Sequence, residues 1–485
     1  MTVLVGRKEE TRVLREAAAS SQAELVAVYG RRRVGKTFLI REVYAGQIVF
    51  ELVGTHEGKM SRQLQAFAQA LQVMEDAPMA FAAPADWMSA LQTLSRALEP
   101  RLKRARNKLV VFFDELPWLA TRRSGFLEAF EHFWNAWASR HNKLVVVICG
   151  SAASWMLRKV VRQRGGLHNR VTRRLRLDPF MLEEVEELLA PQGTASDRYQ
   201  ILQLYMALGG VPHYLAQVRR GESAAQAIDR LCFSREGPLR DEFDLLYPAL
   251  FRKPERHEAV VRTLAKRRGG WSRGELVAEL EMSDGGGLTK VLHELEESGF
   301  ITITPQLGKT VRDSLYRLSD PYSLFYLRFI EGHRGGGKGS WLKKQRSPAY
   351  RAWSGLTFEA VALAHVEGIK RSLGIDGIET EEASWHHRGA DGDEGAQIDL
   401  VIDRADRAIS LCEMKFAEDS FVIDKRYAED LRRKLRVFVA HTGTRKSPFL
   451  VLVTTYGVRD NAHSRALGVT SVTMDALFSA RGRSW

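Results

Sequence analysis

The chain has 485 residues, too many for one compact core, so roughly two or three domains are expected. Hydrophobic residues make up 45% and charged residues 27%, the composition of an ordinary soluble protein, and no apolar stretch approaches the roughly 20 residues that span a bilayer. The net charge of +13 is unevenly placed: residues 101–176 hold 17 Lys/Arg against 4 Asp/Glu, whereas residues 355–485 hold 18 against 20.

The opening MTVLVGRKEE has no long apolar run and does not read as a secretion signal. Cys149, Cys232 and Cys412 are too far apart for a disulfide framework or a CxxC knuckle, which points to a reducing, cytoplasmic setting. Short apolar runs at 25–29, 48–53, 109–113, 144–148 and 174–177 read as strands. Helical patterns such as 60–74 and 125–138 lie between them. That alternation predicts an α/β domain with a parallel sheet.

Gly30-Arg31-Arg32-Arg33-Val34-Gly35-Lys36-Thr37 fits the Walker A pattern GxxxxGK(S/T), after a strand and at the start of a helix. Glycines let backbone N–H groups close round a phosphate, the lysine meets the β/γ-phosphates as a point charge, and the threonine hydroxyl is a ligand for Mg²⁺. The side chains of Arg31, Arg32 and Arg33 are free to point outward. A second motif, Leu109-Val-Val-Phe-Phe-Asp114-Glu115, delivers two acids at the end of an apolar strand, where open α/β sheets bind ligands. Asp114 is the candidate Mg²⁺ anchor and Glu115 the base that orients the attacking water. The distance in sequence between the motifs leaves room for a strand interposed between them.

Val5-Gly6-Arg7, the Walker A loop, Asp114-Glu115-Leu116-Pro117, Cys149-Gly150-Ser151 and Gly210-Val211-Pro212 follow one another in an order that resembles the archaeal-type ATPases. These are AAA-like P-loop proteins related to the signal-transducing STAND ATPases. The resemblance implies that Gly6 and Arg7 lie near the adenine and that Ser151 is a polar sensor near the γ-phosphate. It also implies that Arg170 is an arginine finger, acting across a subunit boundary in a homo-oligomer, and that Pro212 contacts the base from a helical lid. The residues alone leave alternatives: Ser151 as a helix cap, Arg170 as one arginine in a basic stretch, and Pro212 as a plain loop proline. Where family members commonly read GSS, this chain has Gly150-Ser151-Ala152.

Beyond residue 181 the pattern is nearly all helix to about residue 231, broken at Gly209-Gly210-Val211-Pro212. Helical stretches at 256–266, 272–280 and 288–298, then β-like runs at 300–304 and 314–318, are the parts of a winged helix. Thr289, Lys290 and His293 could face a DNA groove, but Glu294, Glu296 and Glu297 would meet phosphate with the wrong sign, so internal packing and a relay role are the competing reading. GHRGGGKG at 332–339 reads as a flexible linker.

In the last stretch, 398–402 and 408–415 read as an antiparallel hairpin that brings Asp399 and Glu413 together, with Lys415 on the same face as Glu413. Glu359 sits upstream in a helical pattern. Three acids and a lysine suit a metal-dependent phosphodiesterase, with Asp399 and Glu413 holding Mg²⁺ or Mn²⁺. The arrangement, with Trp385 ahead of the Asp strand, resembles the PD-(D/E)XK nuclease superfamily. A salt-bridged surface hairpin, or the nuclease fold used for binding alone, remain alternatives; His386 and His387 read as loop residues.

The expected architecture is thus an AAA-like P-loop core (1–180), a helical lid (181–250), a winged helix (251–331), a linker (332–353) and a PD-(D/E)XK-like α/β domain (354–485). The expected function is ATP hydrolysis coupled to metal-dependent DNA processing, or to a switch that binds DNA or protein without cleavage. The charge excess predicts DNA contact through the ATPase half, Arg162, Arg164, Arg173 and Arg174 included, and no membrane partner.

Overall fold

The computed structural model describes residues 4–79, 81–121, 123–161, 167, 169–192, 197–267, 269–282, 285–333, 337, 339–345, 347–389 and 394–479. The chain divides into two compact units, Met1–Pro179 with Leu250–Arg252, and Phe180–Ala249 with Lys253–Trp485. Among the described residues no helix is long and apolar enough to cross a membrane.

The first unit is built on five parallel strands: β1 (Glu24–Tyr29), β2 (Ile48–Val53), β3 (Leu109–Asp114), β4 (Leu144–Gly150) and β5 (Arg173–Arg176), in the order β2-β3-β4-β1-β5. β1 and β4 are buried along their whole length, which is why their sequences are continuous apolar runs rather than alternating ones. On one face Leu25, Val111, Phe113 and Ile148 pack with Phe67, Trp87, Phe126 and Phe130. On the other, Val26, Val110, Phe112 and Val147 pack with Leu14, Leu39, Ile40 and Tyr44. Each such side chain contributes ~1.5–3 kcal/mol on burial. β4 lies between the two motif strands, while β2, the strand that falls between the motifs in sequence, takes the sheet edge; the β4 register sets Gly150 beside Tyr29. Ser151 therefore emerges next to the loop that begins at Gly30.

The second unit opens with helices Leu182–Leu189, Arg198–Leu208 and Pro212–Leu215. Gly210 is required there: a Cβ would stand 1.8 Å from the Phe180 carbonyl oxygen. Helices Pro254–Leu264, Arg273–Leu280 and Gly286–Glu297 follow, then the antiparallel pair β6 (Ile301–Thr304) and β7 (Leu315–Leu318), with Trp271 bridged to Tyr316. Their apolar positions, among them Val260, Leu264, Leu276, Val291, Leu292 and Leu295, are buried.

The described residues from Gly339 onward in the stretch expected as a linker are tied down. Helices Ser340–Lys344 and Pro348–Ala364 run through it, and the latter begins ahead of the expected boundary. The backbone N–H groups of Gly339 and Trp341 donate to the carboxylate of Asp229, at 2.6 and 2.9 Å. Trp341 stacks on Phe233 and meets Phe325 and Trp353 edge-on. A buried carboxylate and an aromatic cluster outweigh the glycine-rich composition; residues 334–336, 338 and 346 lie outside the described residues.

A second five-stranded sheet completes this unit: β8 (Thr380–His387), β9 (Ala396–Arg404), β10 (Ala408–Lys415), β11 (Ser447–Thr454) and β12 (Thr470–Thr473), in the order β12-β11-β10-β9-β8. β8, β9 and β10 pair antiparallel, and β10, β11 and β12 pair parallel. Helix Lys425–Thr442 makes the crossover from β10 to β11, and its Ala428, Leu431 and Phe438 pack on Ile398, Leu411 and Leu452.

Candidate functional site

β1 ends at Tyr29, and the chain turns through a loop into helix Lys36–Val43. Gly30 passes so close to β5's end that a Cβ would lie 2.1 Å from the Leu177 carbonyl oxygen, and Arg33 and Gly35 take left-handed φ of 70° and 90°. The curled loop turns its own carbonyls onto Lys36, whose Nζ donates to Gly30 O at 3.0 Å, Arg31 O at 2.8 Å and Ser151 Oγ at 3.2 Å. That ammonium is 5% exposed and held by neutral oxygens, so it is poised for an anionic ligand.

Across the loop, Thr37 Oγ1 donates to Asp114 Oδ2 at 2.6 Å. A hydroxyl and a carboxylate side by side are the hard oxygen donors that Mg²⁺ takes, with substrate phosphates and water completing its shell. These two residues therefore fit the ion. Glu115 leaves β3 in the left-handed region at φ 50°, which swings its side chain toward β4. Its carboxylate accepts the Ser151 backbone N–H at 3.0 Å and the Ser151 hydroxyl. Because that hydroxyl is engaged with Glu115 and Lys36, and the following short helix has no side-chain cap, the capping alternative for Ser151 is set aside. Beneath the site, burial pushes the Cys149 thiol far up, the Asp114 charge adds to it, and the group is a neutral core residue.

The remaining expected nucleotide residues divide. Gly6 precedes Arg7 with φ 61°, and the Arg7 guanidinium donates to Val34 O at 3.2 Å and Asp178 O at 2.6 Å while pairing with Glu10 at 3.4 Å. Arg7 thus braces the P-loop backbone, a role that no sequence signal announced. Of the three arginines expected to be free to point outward, Arg31 is buried, and Arg32 and Arg33 are half-buried. Arg170 is exposed on the turn before β5. Arg173 pairs with Glu16, and Arg162 and Arg164 lie outside the described residues. Pro212 belongs to the second unit and opens helix Pro212–Leu215, where its fixed φ and missing N–H cost nothing.

In the second unit β9 and β10 bring Asp399 and Glu413 together as expected. Leu400 pairs with Cys412, so the next residues on each strand, Asp399 and Glu413, are opposite, and Asp399 Oδ2 accepts the Met414 N–H at 3.1 Å. Lys415 reaches Glu413 Oε2 at 3.4 Å. Two further residues join them from helix Lys425–Thr442: Lys434 donates to Glu413 Oε1 at 2.7 Å, and the Tyr427 ring lies 5.4 Å from Lys415 Nζ. Residues 427 and 434 are two helical turns apart and share a face, the one signal that could have found them. Burial pushes the Glu413 carboxyl up, the Asp399 charge pushes the same way, and the two lysines oppose both. Burial and the same two acids push the Tyr427 phenol up.

In this arrangement two of the acids expected at a metal centre are engaged by other side chains. The Glu413 carboxylate is occupied by two ammonium groups. Glu359, the third expected acid, is buried in an ion pair with Arg317 at 3.1 Å. Among the described residues no group of three or more His, Cys, Asp or Glu could hold a metal ion. Trp385 is a core residue, edge-on to Phe438, and His386 and His387 end β8 rather than forming a loop, with His387 stacked on His441 at 3.6 Å.

Residues 4–218 match the family described as an ATPase domain predominantly from Archaea. An uncharacterized protein of Methanocaldococcus jannaschii is 24% identical over 440 residues, covering 90% of this chain and 92% of that protein. Among solved structures, a Walker-type ATPase of Pyrococcus abyssi is 18% identical, with 67% of this chain and 96% of that chain covered and a TM-score of 0.48. The ORC2 protein of Aeropyrum pernix is 16% identical, with 71% and 96% covered and a TM-score of 0.42. The family match places an ATPase domain over the P-loop, Asp114, Glu115 and Ser151.

Proposed function

We propose that the chain binds and hydrolyses ATP at the P-loop of its first unit and uses the nucleotide state to control its second unit. The observation that carries this is the convergence of Lys36, Thr37, Asp114, Glu115 and Ser151 on one loop. Lys36 transfers its hydrogen bonds from the loop carbonyls to the β/γ-phosphates. Thr37 and Asp114 would hold Mg²⁺, which would supply positive charge beside those phosphates. Glu115 takes the proton of the attacking water, and Ser151 positions its carboxylate. Gly6 and Arg7 belong to the nucleotide site on the strength of the resemblance, Arg7 through the P-loop backbone it braces. Arg170, exposed on its turn, acts as a finger on a neighbouring copy in a homo-oligomer.

For the second unit, the three helices with β6, β7 and the Trp271 bridge support a winged helix. The sheet, its β10-to-β11 crossover helix, and the Asp399, Glu413 and Lys415 cluster support a PD-(D/E)XK-like core. Two readings follow: metal-dependent DNA processing, or an ATP-driven switch that binds DNA or protein without cleavage. The contact of Lys434 with Glu413 favours the second. Plasmid and linear DNA incubated with the protein in Mg²⁺ or Mn²⁺, with and without ATP, separate them. The switch reading predicts intact DNA in every arm alongside continuing ATP turnover; cleavage that is lost in Lys415→Ala would establish the nuclease instead.

A further inference from the structure

The loop that joins β6 to β7 is bound to the edge of the second sheet. Gln306 bridges Ser384 in parallel, Leu307 N–H donates to Ser384 O at 3.0 Å, and Ser384 N–H donates to Pro305 O at 2.9 Å. A cleft of about 870 Å³ opens beside this junction, within the second unit. Its walls carry Arg267, Arg273, Lys309, Arg312, Arg317 and Arg388 against Glu275 and Asp313; with Arg317 paired to the buried Glu359, an excess of three positive charges remains. Residues 251–331, which supply five of these cations, hold 13 Lys/Arg against 12 Asp/Glu in all, so the cations are concentrated here rather than spread evenly.

The two acids offset only part of this field. Glu275 is committed to Arg267 at 2.8 Å and Arg388 at 3.3 Å, and Asp313 caps its own turn through the Thr310 N–H and hydroxyl. Burial disfavours the His386 imidazolium, and the charges of Arg388, Lys309 and His387 push its pKa down further, as a positive local field requires. Arg267 lies flat over Trp271, its CZ 3.7 Å from the ring centroid, so its guanidinium plane is held at the wall.

We propose that this cleft holds the phosphodiester backbone of a nucleic acid. Guanidinium forks suit phosphate oxygens. A protein partner would need apolar anchors, because hot spots are desolvated aromatic and aliphatic pockets. Here Leu315 and Trp385 are the apolar side chains in a wall of charge, amide and glycine. The cleft also leads toward the acid pair: Gln397 lines it, and Asp399 is two positions on along β9, on the same face and ~6.7 Å away. The site lies in the second unit, away from the basic 101–176 stretch in sequence, and does not depend on ATP turnover or on cleavage.

The test is equilibrium binding of a fluorescent oligonucleotide, single-stranded in one arm and duplex in the other, to full-length protein in EDTA without ATP. Lys309→Glu/Arg312→Glu/Arg388→Glu is compared with wild type and with Arg219→Glu/Arg220→Glu/Arg235→Glu, an equal charge change at exposed positions elsewhere in the same unit. The cleft variant should bind at least about tenfold more weakly in one arm or both, and the slope of log affinity against log salt should fall by roughly 2–3. The milder Lys309→Gln/Arg312→Gln/Arg388→Gln should fall between it and wild type, which guards against a folding defect. Binding unchanged in both arms, or lost equally in the control variant, would overturn the proposal. So would polyglutamate that binds wild type as tightly as the oligonucleotide does.

Discussion

Lys36 shows how a single side chain carries the chemistry of the first unit. Its ammonium is held by two carbonyls and one hydroxyl, neutral partners that give way to phosphate without breaking an ion pair. Lys36→Ala should therefore lower ATP affinity by at least about tenfold, read by titration with a fluorescent ATP analogue, and unchanged affinity would contradict the assignment. Gly30 is constrained by space rather than chemistry. Its φ of 152° and the Leu177 carbonyl 2.1 Å from a would-be Cβ mean that Gly30→Ala must displace backbone. A cost of ~2–3 kcal/mol is expected, visible as a lower urea midpoint for the first unit. The functional residues legible in sequence were those whose chemistry depends on contiguous spacing, the run from Gly30 to Thr37 and the pair Asp114-Glu115. Arg7's grip on Val34 and Asp178, and Lys434's on Glu413, are approaches of residues distant in the chain, and residue type alone does not specify them.

At the scale of elements, β1 and β4 were easy to place because both of their faces are buried, whereas β8, β11 and β12 were not read from the sequence. ELVAVY and LVVVICG admit few other structures once bounded by glycine and polar turns. The glycine-rich linker misled because composition reports conformational freedom and not the partners that remove it; Asp229 and Phe233 are about 100 residues upstream of Trp341. Helix Gly286–Glu297 shows the opposite pull. Glu294 pairs with His257 at 3.0 Å and so serves internal packing, whereas Thr289 is exposed and accepts from Arg273 at 2.9 Å. Helix Arg273–Leu280 rests on a reciprocal cap by Ser272 and Glu275. Burial works against ionisation of Glu275, but hydrogen bonds from Ser272, Arg267 and Arg388 bring its pKa down to about 2 from the ordinary 4.5. A depressed carboxylate stabilises the fold above its unfolded pKa and loses that contribution as pH falls through the folded value. Glu275→Gln should thus melt lower than wild type at pH 7, by roughly 2 °C given solvent screening, with the gap closing between pH 4.5 and 2. A gap that stays constant across that window would contradict the linkage. Helix Lys425–Thr442 supplies a further test, since Lys434 occupies the Glu413 carboxylate. Lys434→Met should raise Mn²⁺ affinity at least about tenfold by calorimetry, and no gain would mean the ammonium is not what excludes the ion.

For the whole molecule, residues 4–218 match an ATPase domain, and the second unit has a mixed sheet that carries Asp399, Glu413 and Lys415, with Lys434 reaching Glu413 from helix Lys425–Thr442. The exposed position of Arg170 makes assembly testable through kinetics. Specific ATPase activity should rise with protein concentration, and Arg170→Ala should be slower by at least about a hundredfold with ATP affinity retained. Wild-type rates in Arg170→Ala at every concentration would remove the finger. The central claim is hydrolysis at the P-loop with Glu115 as base. The most direct measurement is phosphate release at saturating ATP and Mg²⁺ by wild type and Glu115→Gln, with ATP binding measured on the same samples. The amide keeps hydrogen-bonding capacity toward Ser151 but cannot take the proton of water. The account predicts turnover reduced by about 10²–10⁴-fold at near-unchanged ATP affinity; equal turnover by the two proteins would contradict it.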